Sequence, residues 1–339
     1  MFNLKQKKNY WVVVALAGVA AVGSIFLPSA VGAITLIPPT LELGLIPGQA
    51  STTSIKLFNE TANSVELFTE TRSFSAKGES GQPEFDFNTD PIDLGSWVSV
   101  EKGPIVLSAG QRYEVPVTIT PPANADPGGH YAAVFFTTSP PADGQVRIAS
   151  KIGTLILARI AGDVDEAGSI VEFGTDEGQK LFNRLPVSFY ARFENTGNVH
   201  LKPSGELVIK SMFGQTAVKV DFNASKGATL PDSIRKYELV WEKGSVNSAA
   251  LNFWSKFWEE YSNEKRNFSI GRYTATLTAT AGTDNLVTDS AGFSFWIFPW
   301  HMILAWLIIA VVVVFILIML IKQYNKWVIK KAQAVKEKK

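Results

Sequence analysis

The sequence predicts an all-β fold: two tandem immunoglobulin-like β-sandwiches, with a signal peptide before them and one C-terminal transmembrane α-helix after them. Three observations support this prediction. Short segments of alternating apolar and polar residues recur along residues 34–298, separated by Pro-, Gly- and Asn-rich turns. Several motifs of the first half reappear in the second half in the same order. Residues 302–321 then form an unbroken run without an ionisable group.

The N-terminus has the layout of a secretory signal peptide. Lys5, Lys7 and Lys8 precede an apolar run at residues 11–27, and Val31-Gly32-Ala33 offers a small-residue cleavage site. The run is slightly short for a membrane-spanning helix, which needs about 20 residues. We therefore predict that residues 1–33 are a signal peptide that is removed. The alternative is an uncleaved anchor, which would leave both chain ends in the cytoplasm.

Residues 34–162 are predicted to form the first immunoglobulin-like domain. Within residues 51–59, Ile55 and Leu57 fall on one face of a strand and Lys56 on the other. The polar, glycine-bearing residues 78–90 are predicted to be a surface loop. The remaining segments with strand patterns are residues 34–45, 65–74, 97–100, 105–107, 111–120, 130–138 and 146–160.

Residues 163–298 are predicted to form a second immunoglobulin-like domain of the same topology. Its turn and strand motifs repeat those of the first domain in the same order. The matched positions are Asn63 with Asn198, Tyr113 with Tyr237, and Tyr131 with Tyr273. The sequence separation grows between the second and third of these pairs, which marks an insertion.

The insertion, residues 247–267, has the only helical pattern between the two apolar runs. Phe253, Trp254, Phe257 and Trp258 are the candidate partner-binding residues, because exposed Trp and Phe side chains are typical anchors of interfaces. Three interpretations stay open. The helix covers a face or edge of its own sandwich, binds a partner, or lies on the outer membrane leaflet.

Residues 299–321 are predicted to be the transmembrane helix and residues 322–339 a basic cytoplasmic tail. The aromatic residues expected at the two membrane interfaces are Trp296, Trp300, Tyr324 and Trp327. Lysines dominate the tail, so the positive-inside rule predicts a single-pass cell-membrane protein with its C-terminus in the cytoplasm. Both domains would then lie outside the cytoplasm, with the second against the bilayer because no flexible stalk precedes the helix.

The residue types and motifs point away from catalysis. The chain has no cysteine and 3 histidines, none at metal-binding spacing, and it lacks the common nucleophile, phosphate-binding and zinc motifs. The acidic loop after Gly162 fails as a calcium loop because Gly174 stands where a bidentate Glu is needed. We predict no catalytic residue, metal or cofactor. The excess of acidic residues between the two apolar runs also argues against nucleic acid as a ligand.

Part of the first domain resembles a known family. Residues 107–138, with Pro121-Pro122 and the run from Pro127 to Phe136, resemble the first domain of WxL-interacting proteins, as does the opening Pro47-Gly48-Gln49. This resemblance implies a signal peptide, two immunoglobulin-like domains, a C-terminal membrane helix and a basic tail. It also implies that residues 34–161 contact peptidoglycan and that the second domain binds a surface protein.

These observations together predict a non-enzymatic, membrane-anchored cell-envelope protein. Its exterior domains would bind a cell-wall polymer such as peptidoglycan, a surface protein, or both. The alternative is an accessory or chaperone-like subunit of a membrane or surface assembly. A more remote alternative is a hydrolase that acts on wall or polysaccharide through paired acids.

Overall fold

A computed structural model describes residues 33–87, 90–138, 151–246, 252–283 and 287–336. The predicted signal peptide, apart from Ala33, lies outside these residues. So do the first part of the strand predicted at 146–160, residues 247–251 of the predicted insertion, and the last three residues of the predicted tail.

Strands dominate the described chain and form four sheets. In chain order they are β1 (Ile34–Ile37), β2 (Thr40–Leu45), β3 (Ser51–Asn59), β4 (Val65–Lys77), β5 (Gln82–Phe85), β6 (Val98–Val100), β7 (Ile105–Leu107), β8 (Arg112–Ile119), β9 (Gly128–Thr137), β10 (Lys151–Ile160), β11 (Gly168–Thr175), β12 (Leu181–Phe182), β13 (Val187–Asn195), β14 (Ser204–Ser211), β15 (Thr216–Phe222), β16 (Ser233–Trp241), β17 (Gly271–Ala281) and β18 (Val287–Ile297).

The first sandwich packs the sheet β1-β3-β8-β6 against the sheet β2-β10-β9-β4-β5, with β7 paired to β4. Pro38 and Pro39 interrupt the first extended segment, because proline has no N–H to donate to a sheet. As a result β1 pairs antiparallel with β3 in one sheet, and β2 pairs parallel with β10 in the other. Apolar side chains from the inner faces of both sheets, including Ile55, Leu57 and Phe136, form the core.

The second sandwich packs the sheet β11-β13-β16 against the sheet β12-β18-β17-β14-β15. Its core is rich in aromatic rings, among them the fully buried Phe189, Trp241 and Phe295. The rings of Phe189 and Phe295 meet edge to face at a centroid distance of 5.3 Å. The prediction of two immunoglobulin-like sandwiches is confirmed, whereas the exact domain boundaries stay predictions.

The described chain also has three α-helices, α1 (Leu94–Trp97), α2 (Phe253–Arg266) and α3 (Trp300–Lys336), and a short 3-10 helix at Asp176–Gly178. Helix α2 begins with a capping box in which the Asn252 side chain accepts a hydrogen bond from the Ser255 N–H at 2.8 Å and the Ser255 hydroxyl bonds back to Asn252. Helix α3 is long and apolar enough to cross a membrane over residues Trp300–Ile329. It continues past residue 321, where the sequence predicted the span to end.

Two local predictions in the first sandwich are wrong. Residues 78–90 were expected to form a loop throughout, but β5 lies within them and pairs with β4. The rings of Phe74 and Phe85 contact each other across this pair at 5.5 Å, which favours the strand despite the polar neighbours. Trp97 ends α1 instead of starting a strand, and its ring lies against that of His130 at 4.9 Å.

The predicted internal repeat is visible in the hydrogen bonds of two buried asparagines. The Asn59 side chain donates to the carbonyls of Asn63 at 2.8 Å and Leu107 at 2.9 Å, and accepts from the Thr61 N–H. The Asn195 side chain repeats the pattern in the second sandwich. It donates to Val199 at 2.8 Å and Thr229 at 2.9 Å, and accepts from the Gly197 N–H.

Candidate functional site: the cleft between the sandwiches

A turn of the second sandwich docks directly on the first. The Gly129 N–H donates to the Asn198 carbonyl at 2.7 Å, and the Asn198 side chain accepts from the Asp165 N–H at 2.8 Å. Gly128 has φ of +119°, and a Cβ there would lie 2.5 Å from the Asn198 oxygen. Only glycine fits this close approach, so the sequence at residue 128 is set by the contact between sandwiches.

A second contact joins the chain connection to both sandwiches. Glu166 accepts hydrogen bonds from Arg159 of β10 at 2.5 Å and from the Thr283 N–H, beyond β17, at 2.5 Å. Burial acts to raise the pKa of the Glu166 carboxyl, but the bonds from Thr283 and Arg159 outweigh it and the pKa is lowered. The carboxylate is therefore ionised at neutral pH and links the two sandwiches.

The turn between β4 and β5 makes a third contact. Glu79 pairs with Arg192 of β13 through both carboxylate oxygens, and its carbonyl accepts from the Lys236 N–H at 2.9 Å. The hairpin thus reaches from the first sandwich along the flank of the second. Together the three contacts hold the sandwiches with an open cleft between them.

The cleft has a volume of about 400 Å³, within the range of ligand sites. The outer face of the sheet β2-β10-β9-β4-β5 forms one wall, where Leu155 and Leu157 supply aliphatic surface. The segment between β15 and β16 forms the opposite wall, with Lys226, Leu230 and its neighbours. The cleft therefore combines an apolar wall with basic side chains.

Arg235 of β16 is one of the charged residues that line the cleft. Its guanidinium lies between two glycines, because an added Cβ would come within 2.2 Å of it at Gly81 and within 2.5 Å at Gly227. It donates to the Ala228 carbonyl at 2.7 Å and lies over the Tyr237 ring, whereas its buried Nε has no partner. Across the described residues, Arg235 forms no ion pair.

A histidine lies in the contact between the two sandwiches. The Tyr131 hydroxyl lies 3.4 Å from His200 Nδ1, and Lys202 pairs with Glu42 of β2 beside them. Burial lowers the pKa of His200 to about 4. The imidazole is therefore neutral at neutral pH, and burial also raises the pKa of Tyr131.

The four candidate partner-binding residues lie together on α2, away from this cleft. Phe253, Trp254 and Trp258 are exposed, whereas Phe257 is half-buried against the rings of Trp300 and His301. Glu260 of α2 pairs with Arg184 of the second sandwich, so the helix lies against its own sandwich while three of its aromatic side chains stay exposed. Partner binding and contact with the membrane both remain open for this helix.

The four residues predicted for the membrane interfaces lie at or near the two ends of the apolar part of α3. Trp296 and Trp300 are exposed at its start, and the rings of Tyr324 and Trp327 lie 6.1 Å apart near its other end. Trp300 and Tyr324 are about 36 Å apart along the helix at 1.5 Å per residue. This separation fits a bilayer whose hydrocarbon core is about 30 Å thick.

The described chain offers no arrangement typical of a metal centre. None of its groups of His, Asp and Glu side chains brings together three members able to hold a metal ion. His130 bonds instead to Asp93 at 2.7 Å and to the Asp126 carbonyl, and the Asp93 bond raises its pKa.

Sequence reasoning missed the cleft entirely. Its walls come from β2, β4, β5, β10 and the approach to β16, which are far apart in the sequence. Gly81 and Gly227 carried a weak signal, since each is a glycine in a turn, but nothing in the sequence pairs either of them with Arg235.

No family model matches the chain, and no curated protein matches it. Among solved structures, the chain is similar to the class 5 fimbriae chaperone CfaA, at a TM-score of 0.36 and 11% identity, covering 79% of this chain and 100% of that one. It is similar to the E. coli chaperone DraB at 0.33 and 11%, covering 78% and 98%. It is also similar to the Pseudomonas aeruginosa CupB2 chaperone at 0.34 and 7%, covering 77% and 100%.

Proposed function

We propose that this protein is a non-enzymatic accessory subunit of the cell envelope, held by α3 in the cell membrane with both sandwiches outside the cytoplasm. Its cleft would bind a segment of a partner protein that carries an acidic group. The observation that supports this proposal is Arg235, a cation without an ion-pair partner in the described chain, set in a cleft of about 400 Å³. An acidic group would supply the missing partner.

The shape of the cleft favours an extended peptide. Leu155 and Leu157 present side chains on one face of β10, at the spacing that accommodates alternate side chains of a bound strand. Thr40 and Glu42 of the neighbouring β2 also line the cleft, and β2 is the edge strand of its sheet. Edge strands bind extended segments through backbone hydrogen bonds.

A photo-crosslinking amino acid at Ser225, in the cleft, tests this function in intact cells that carry the full chain. We expect a crosslink to a discrete protein, and loss of that crosslink in Arg235→Ala. Val106, exposed on β7 and outside the cleft, serves as the position control. A crosslink to glycan alone would contradict the proposal and support the wall-polymer interpretation of the first domain.

Arg192→Ala is the matched control for the substitution. It removes the ion pair with Glu79 and so perturbs the same contact between the sandwiches, but Arg192 does not line the cleft. We expect it to keep the crosslink. Equal loss in both variants would mean that Arg235 only holds the sandwiches together, and the proposed ligand role would be wrong.

A further inference from the structure

The base of the second sandwich carries a set of exposed apolar side chains, here called the base rim. Its members are between 48% and 80% exposed. They are Leu181, Met212, Phe213, Ile270, Trp296 and Phe298. Six large apolar side chains exposed together at one end of a domain indicate that this end contacts a partner or a membrane.

The sheet topology places the base rim at the end from which α3 leaves. Leu181 pairs with Trp296 in the parallel ladder of β12 and β18. Ile270 directly precedes Gly271, which pairs with Ile297 at the last position of β18. Met212 and Phe213 lie in the turn that follows β14, and a Cβ on Gly271 would lie 3.4 Å from the Met212 sulfur.

Helix α2 lies at the level of the first turn of α3. The buried Glu264 carboxylate accepts from the Met302 N–H at 2.8 Å and bonds His301 Nδ1 at 2.6 Å, so it caps the start of α3. The ring of Phe257 lies 5.4 Å from that of His301. Phe257 and Glu264 are about 10 Å apart along α2 but both contact His301. Helix α2 therefore packs against the beginning of α3.

The exposed aromatic side of α2 faces away from the sandwich. Glu260 bonds Arg184 of the second sandwich at 3.1 Å, and Asn263 is fully buried. Trp254 lies nine residues before Asn263, which puts the two about 180° apart around the helix. Trp258 follows Trp254 by one turn on the same side and is also exposed.

We propose that the base rim and the aromatic side of α2 rest in the outer interface of the phospholipid bilayer that α3 spans. The surface is continuous with the start of the span, since α2 is bonded to its first turn and β18 runs into it through Phe298 and Pro299. Tryptophan and phenylalanine are well suited to the boundary between headgroups and acyl chains. The second sandwich is thereby seated on the membrane, and its orientation is fixed by more than the single helix.

Spin labels on the full chain in nanodiscs of neutral phosphatidylcholine test this proposal. The natural chain has no cysteine, so Phe213→Cys, Trp254→Cys and Ile92→Cys each give one labelled position. Ile92 is as exposed as Trp254 but lies in the first sandwich. We expect labels at 213 and 254 to show a several-fold higher ratio of oxygen to nickel-chelate accessibility than the label at 92. Equal, water-like ratios at all three positions would overturn the proposal.

The same surface could instead be covered by a second copy of the chain. Nanodiscs that hold a single chain distinguish lipid contact from this self-association. Persistence of the high ratio in single-chain discs supports lipid contact. A high ratio only in discs with two chains would overturn it in favour of self-association. We also expect less than a twofold change when anionic lipid is added, since apolar side chains form the surface. A strict requirement for anionic lipid would contradict insertion by apolar contact.

Discussion

The two sandwiches share a turn that is hydrogen-bonded by a buried asparagine, and they differ in the elements added to the common fold. Asn59 and Asn195 occupy equivalent turns and satisfy equivalent backbone groups. The first sandwich has a β4–β5 hairpin that extends towards the second sandwich. The second sandwich instead has α2, inserted between β16 and β17 next to the start of α3. The asparagine-bonded turn, which is repeated, stabilises each sandwich. The β4–β5 hairpin and α2, which are not repeated, position the sandwiches, the hairpin at the cleft and α2 at the start of α3.

The largest effect is expected from removing the shared device. Asn59→Ala and Asn195→Ala each remove the side-chain hydrogen bonds that tie a buried turn to the neighbouring backbone, at a cost of about 3 kcal/mol. Denaturant unfolding of the full chain in detergent measures both, and we expect losses of similar size. A loss below about 0.5 kcal/mol for only one of them would show that the two turns are not equivalent.

The next effect concerns a device that only the second sandwich has. Glu264→Ala removes the hydrogen bonds to the first turn of α3 and should cost about 2 kcal/mol locally. Hydrogen exchange of the Met302 amide should then accelerate by about tenfold or more. Lys256→Ala, at an exposed position of the same helix, is the control and should leave that amide unchanged. An unaltered rate in Glu264→Ala would contradict the capping role.

A smaller effect is expected from pH at the contact between the sandwiches. Because the pKa of His200 is lowered to about 4 from 6.5, the unfolded chain binds a proton between these values and the folded chain does not. Stability should therefore be full above pH 6.5 and fall as the pH drops towards 4, by about 1 kcal/mol for a ring that is partly accessible. Thermal unfolding across this window measures it. His200→Gln should flatten this part of the profile, and an unchanged slope would exclude His200 as its source.

The smallest effect is expected at the tip of the β4–β5 hairpin. Arg192 and Glu79 are both about one-third exposed, and such ion pairs contribute roughly 0.5 kcal/mol. A double-mutant cycle of Arg192→Ala and Glu79→Ala should give a coupling free energy of that size that weakens in high salt. A coupling above about 2 kcal/mol would mean that the hairpin is a principal support of the cleft.

Local pattern predicted much of this fold, because burial in a two-sheet sandwich imposes a period of two on each strand. Ile55 and Leu57 are buried as predicted, and the helical insertion was found with its start moved to Phe253. The four residues of β5 were missed because the glycines and charged residues around them obscured a short alternation of apolar and polar side chains. The cleft was missed for a different reason. Arg235 becomes a candidate ligand group only when Gly81, from the other sandwich, lies against it.

The bond between Glu264 and the first turn of α3 has a mechanical consequence. Only two residues separate β18 from α3, and the Glu264 carboxylate is hydrogen-bonded to the first turn of α3. The junction between the second sandwich and α3 is therefore short and constrained. In the proposed function, a force on a partner bound in the cleft would be transmitted through the second sandwich, whose 11-residue β18 is about 36 Å long. In the proposed membrane orientation, such a force would reach the bilayer as a torque on α3.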